Sequence, residues 1–172
     1  PSSFFSTVDT NGDDVRVTES DGETETPFEL VSINTGGSTG ELHFLADSLS
    51  SSADNEFYIY YGNGGANAYA EDATYGSENV WDSIYDAVWH LEEDVNTTAG
   101  GYTDATDGDN DGTGVSMALT ETSIAMGNAQ DFDGSADYID TNYTPPIGGA
   151  VRSISFWGNS DISKDGKLIG YG

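Results

Sequence analysis

The chain has 172 residues, 31 acidic against 4 basic, and its formal charge of −27 is spread along the whole length. That balance excludes a nucleic-acid role, because gripping a phosphate backbone needs a basic footprint. The absence of cysteine excludes a disulfide framework and thiolate metal sites, and with no apolar run of about 18 residues no membrane insertion is expected.

The length suits one good-sized β-sandwich or two small modules. No basic-apolar-small signal segment follows Pro1, and a start without Met reads as a mature or trimmed chain. Gly, at 22 copies, joins Ser, Thr, Asn and Asp in punctuating short runs of Val, Ile, Phe and Tyr. This is the pattern of strands between turns, so an all-β protein of antiparallel sandwich modules is predicted.

In chain order, Asp9, Asn11 and Asp13 around Gly12 read as an Asx-type turn, with a cation as the alternative ligand of the same oxygens. Strands are predicted at residues 15–18, 28–34, 41–46 and 56–61. In the last, Phe57, Ile59 and Tyr61 share one face, and Tyr58 and Tyr60 share the other. Apolar residues on both faces predict a central strand covered on each side.

Polar connections follow at 48–55 and 62–70. Trp81, Tyr85 and Val88 could then line a single helical turn before residues 88–91 become extended. Residues 96–114 carry almost nothing apolar and read as a long surface loop or an interdomain seam. A boundary is placed just before it, dividing the chain into modules 1–84 and 85–172. Strands resume at 129–132, 138–140, 153–157 and 168–171.

The sharpest candidate site is Asp107-Gly108-Asp109-Asn110-Asp111-Gly112-Thr113. Alternating carboxylates on Asp107, Asp109 and Asp111 could converge on calcium, with Gly112 permitting the tight turn and the Thr113 carbonyl as a further ligand. Ala118 stands where such loops carry a bidentate Glu, so Asp104 or Glu121 would have to supply that ligand. A solvated acidic loop is the competing reading. Asp133 with Gly134, and Asp137, read as turn residues.

His43 and His90 lie in apolar surroundings with no ligand-spaced cluster evident, which predicts packed, hydrogen-bonded histidines. Trp81, Trp89 and Trp157 sit beside apolar neighbours and read as core, with stacking on sugar rings as the alternative. Glu92-Glu93-Asp94 lacks the alternating spacing of a glycosidase carboxylate strand. No nucleophile elbow, phosphate loop or zinc-protease helix is present, so no catalytic residue is assigned.

Seven stretches carry family resemblances. Asp13 to Gly22, including Arg16-Val17-Thr18-Glu19-Ser20-Asp21-Gly22, then Pro27-Phe28-Glu29-Leu30, Gly40-Glu41-Leu42-His43-Phe44 and Phe57-Tyr58-Ile59-Tyr60-Tyr61-Gly62-Asn63, resemble a secreted family known only as a domain of unknown function. Val88-Trp89-His90-Leu91-Glu92-Glu93, then Phe132-Asp133-Gly134 with Asp137-Tyr138, and Ser153-Ile154-Ser155-Phe156-Trp157 are similar to the opening of a concanavalin A-like, laminin-G-type lectin domain.

The resemblance implies a non-catalytic extracellular module, on a cell surface, a secreted filament or a virion, for glycan binding, adhesion or subunit assembly. Its partners would be glycans or neighbouring protein subunits, including a homo-oligomer or filament. The alternative is a fragment of a carbohydrate-active enzyme with its catalytic residues outside this chain. The jelly-roll pattern is incomplete, so the strands at 153–157 and 168–171 are expected to pair with another chain or with residues beyond these.

Overall fold

The computed structural model describes residues 2–95, 97–121, 127–159 and 169–170. The protein is all-β. Among the described residues, the helical content is the short α1, Ser2–Phe5, and a 3-10 turn at Ser77–Asn79. The described strands are β1 Arg16–Thr18, β2 Phe28–Asn34, β3 Thr39–Phe44, β4 Tyr58–Tyr60, β5 Gly112–Val115, β6 Leu119–Glu121, β7 Ala129–Asp131 and β8 Tyr138–Thr141.

They pair antiparallel, two by two: β1 with β4, β2 with β3, β5 with β8 and β6 with β7. The first two ladders lie before residue 85 and the last two after it. Among the described residues, apolar burial is concentrated on few side chains, chiefly Val8, Val15, Val17, Val80, Tyr102, Ala105 and Met117. With so little apolar core, polar groups that satisfy one another carry much of the organisation.

Carboxylates at turns illustrate this. Asp9 accepts the Asn11 amide at 2.8 Å, which is the expected Asx turn, while Asp14 accepts the amides of Asp9 and Gly62 and so ties the entry of β1 to the exit of β4. After β1, Asp21 accepts the Thr24 hydroxyl at 2.6 Å and the amides of Thr24 and Glu23, both at 2.9 Å. Those bonds, the hydroxyl first, hold its carboxyl down at about 2. Asp133 likewise accepts the Ser135 amide at 2.7 Å, and Asp137 accepts the Asp133 amide.

Several expectations are corrected. The strand at 56–61 is not a doubly covered core strand. It shortens to β4, pairs with β1 alone, and leaves Tyr58, Ile59 and Tyr60 exposed. The cause is its partner: β1 has three residues, because the Asp21-Gly22 turn follows at once, so the ladder cannot extend. Trp81 and Tyr85 do meet edge to face at 5.3 Å, but the helical turn lies earlier, at Ser77–Asn79. Residues 88–91 form no strand, since Leu91 takes a positive φ of 59°.

The segment 96–114 departs most from a solvated loop. Tyr102 is fully buried, and Asp104, Ala105 and Thr106 are buried beside it. Asp104 makes this possible. Its Oδ1 accepts the Val88 amide at 2.9 Å, the Thr106 amide at 3.1 Å and the Thr106 hydroxyl at 3.0 Å. Its Oδ2 accepts the backbone and side-chain N–H of Asn110, both at 3.0 Å.

At the other end, residues 153–157 form no strand, because no described strand offers them a ladder, and Trp157 is 87% exposed rather than in a core. Of the strand expected at 168–171, Leu168 and Tyr171 lie outside the described residues, and residues 169–170 are not in a strand.

Burial pushes the Asp104 carboxyl up, but the hydrogen bonds from Val88, Thr106 and Asn110 outweigh it and hold it below the usual range. Its stabilisation is therefore complete above the unfolded value of about 3.9 and is lost as pH falls through the lower folded value. Asp104→Ala is expected to cost roughly 3 kcal/mol of unfolding free energy at neutral pH, since it strands several buried donors. Urea titrations across the acid range check this: the gap between variant and parent should close as pH drops.

Candidate functional site

The β2–β3 hairpin supplies the first wall of a histidine and carboxylate cluster. Its turn is closed by Asn34, whose Oδ1 accepts the Gly37 amide at 2.8 Å, with Ser38 at a φ of 57°. Glu29 pairs with His43 and Leu30 with Leu42, then a bulge at Val31 brings Ser32 opposite Glu41. Directly opposed residues share a face, and so do residues two apart on one strand. Glu29, Glu41, His43 and Ser32 therefore stand on one side of the hairpin, and Leu30 turns to the other, toward Gly12.

The second wall comes from residues 88–93, held by long-range hydrogen bonds instead of a ladder. Asp104 holds the Val88 amide, the Ala105 amide donates to the Val88 carbonyl at 2.8 Å, and the Trp89 indole donates to the Asn110 carbonyl at 3.0 Å. Downstream, Gln130 of β7 donates through Nε2 to the carbonyls of Leu91 and Glu93 at 3.0 and 2.6 Å. Tyr102 in turn donates its hydroxyl to Gln130 Oε1 at 2.8 Å. Pinned on both sides, this segment presents His90 and Glu92 to the hairpin.

There His43 Nε2 lies 2.7 Å from Glu41 Oε1, and His90 Nε2 lies 3.1 Å from Glu29 Oε2. The Trp81 indole donates to the same Glu29 oxygen at 2.9 Å. The two imidazoles stack with centroids 5.0 Å apart and planes 31° from parallel, and the Trp81 ring lies 5.4 Å from His43 and 5.8 Å from His90. Glu92 lies against both Glu41 and Ser32.

The electrostatics follow from this crowding. Burial pushes the His90 imidazole down, but the Glu29 hydrogen bond and the charges of Glu29, Glu41 and Glu92 outweigh it and raise its pKa. Burial also raises Glu41, yet hydrogen bonds from His43 and Glu92 and the two imidazole charges bring it down overall. Glu92 is raised, by burial first and then by its bond to Glu41.

A cavity of about 500 Å³ opens beside the cluster, with Glu29, Ser32, His90 and Glu92 in its wall. A second, of about 300 Å³, has His43, Trp81, Ile84 and Tyr85 around it. Among the described residues, Glu41, His43 and His90 are the group of His and carboxylate side chains whose ligand atoms all lie within 4.8 Å of one another.

The expected calcium residues are placed differently. Asp107 and Asp109 are exposed, and their charges help raise the Glu78 carboxyl, after its burial. Asp111 spends Oδ1 on the Asp104 amide at 2.9 Å, and Thr113 lies in β5 opposite Asp140, its hydroxyl accepting the Gly100 amide at 3.3 Å. Asp104 is saturated by its own partners. The structure does not gather Asp107, Asp109 and Asp111 into one group of converging ligand atoms.

The two histidines are hydrogen-bonded, as expected, but not separately packed: the cluster that was not evident in the sequence exists. A faint signal lay in two short stretches, Glu41-Leu42-His43 and His90-Leu91-Glu92, each with a carboxylate and an imidazole two residues apart. Neither stretch says that the other is its neighbour. Comparison with known proteins returns no matching family model, no matching curated protein and no matching solved structure.

The Trp81 indole anchors the Glu29 carboxylate, so Trp81→Phe should keep the ring packing and lose that charged hydrogen bond. A loss of about 1–2 kcal/mol is expected, read as a lower denaturant midpoint at unchanged slope.

Proposed function

We propose that the chain is a non-catalytic extracellular or virion-surface module that works by assembling with neighbouring subunits of its own kind. The observation that carries this reading is the apolar stretch at 147–157, where Ile147, Val151, Ile154, Phe156 and Trp157 are all strongly exposed, Val151 to 98%. Ile154 and Phe156 alternate with Ser153 and Ser155, the period of a strand, yet none of the described strands pairs with them.

A neighbouring chain that adds a strand there would bury these side chains and satisfy their backbone groups together. The motif resemblance to secreted β-modules supports the same setting. The charge of −27 opposes association of like chains, so assembly suits a saline exterior or calcium, either of which relieves the repulsion. A second reading, glycan binding by the exposed rings of Tyr58, Tyr60 and Trp157, is favoured by their open faces.

Sedimentation velocity across a salt series, with calcium and with chelator, tests the reading. Association is expected to grow with salt and with calcium, and to fall in Phe156→Ser and Trp157→Ser variants. A monomer under every condition would overturn homotypic assembly, and retention of that monomer on a glycan array would favour the second reading.

A further inference from the structure

We propose that Glu41, His43 and His90 hold a divalent transition-metal ion of the zinc class, which ties the β2–β3 hairpin to the second half of the chain. The three ligand atoms lie within 4.8 Å of one another, and all three residues are half-buried. A tetrahedral ion with bonds of about 2.0–2.1 Å holds its ligands roughly 3.3 Å apart, so small side-chain adjustments close the site. The donors decide the metal. Two imidazoles with one carboxylate suit zinc and its neighbours in the first transition row, whereas calcium and magnesium take shells of oxygen.

The surroundings resemble the outer shell of such a centre. Ligating histidines commonly give their second ring nitrogen to a carboxylate; Glu29 stands in that place for His90 and is itself fixed by the Trp81 indole. Glu92 stands beside Glu41 at the edge of the group. Three carboxylates, from Glu29, Glu41 and Glu92, thus converge on two imidazoles, and a divalent cation would balance them. Arg16 does not: its guanidinium donates to the carbonyls of Asp13 and Asn67 and lies 4.2 Å from the Tyr69 ring centre. The cavity bordered by His90 and Glu92 gives an ion a way in.

The placement states the role. Glu41 and His43 belong to β3, while His90 belongs to the segment fastened to Asp104 and Gln130. An ion shared between them cross-links parts of the chain that no described ladder joins.

Titration of the intact, chelator-treated chain with zinc chloride is the test. One equivalent should bind, and an excess of about 100 times Kd should raise Tm by about 5 °C or more, with no comparable shift from magnesium. His43→Gln and His90→Gln should each weaken zinc about tenfold or more, while Asp107→Asn with Asp109→Asn leaves it unchanged. If the histidine variants fail to fold, X-ray absorption of the zinc-loaded parent decides instead. Scattering from two imidazoles is expected; an all-oxygen shell, or zinc affinity unchanged in the double histidine variant, overturns the proposal.

Discussion

One buried carboxylate organises the second half of this protein. Asp104 is only 4% exposed, and its two oxygens accept five hydrogen bonds from Val88, Thr106 and Asn110. A charge removed from water is tolerable only when its lone pairs are met, and here they are met by donors from two separate stretches of chain. The same contacts close the 104–110 turn and hold residue 88, so the position of His90 depends on a carboxylate some distance away in sequence.

The wider pattern is a chain that uses polar chemistry where larger proteins use apolar packing. Asp9, Asp14, Asp21, Asp104 and Asp133 each accept backbone amides at a turn. Many acidic residues are thus structural acceptors as well as a source of net charge. Charge-assisted bonds of this kind are stronger than neutral ones, which suits ladders only two strands wide. It also explains how so acidic a chain keeps a defined fold: part of its negative charge is spread over fixed N–H groups.

The histidine cluster follows from two unrelated devices. On the hairpin, register and a bulge bring Glu29, Glu41, His43 and Ser32 to one face. On the opposing segment, Asp104 and the Tyr102–Gln130 pair act through the backbone to set where His90 and Glu92 stand. Carboxylates outnumber imidazoles there, so the site attracts positive charge, and the indole of Trp81 packs at a tilt against both rings.

What the sequence by itself determined is local. The β character, the strands β2, β3, β7 and β8, and the turns at Asp9 and Asp133 are written in residue type and spacing, because period-two patterns and side-chain bonds to amides two or three residues away need no distant partner. Tertiary structure alone decided which strands gain neighbours, which polar segment is buried and which side chains meet. β4 has core-like residues but a partner too short to cover it; residues 102–106 have mostly surface-like residues but an acceptor, Asp104, that helps bury Tyr102, Ala105 and Thr106; and 153–157 have a strand pattern with no described ladder to join. His43 and His90 converge through hydrogen bonds made by Asp104 and Gln130 to a segment with no periodicity of its own. Contacts between residues far apart in sequence leave no mark in local composition, and this site is made of such contacts.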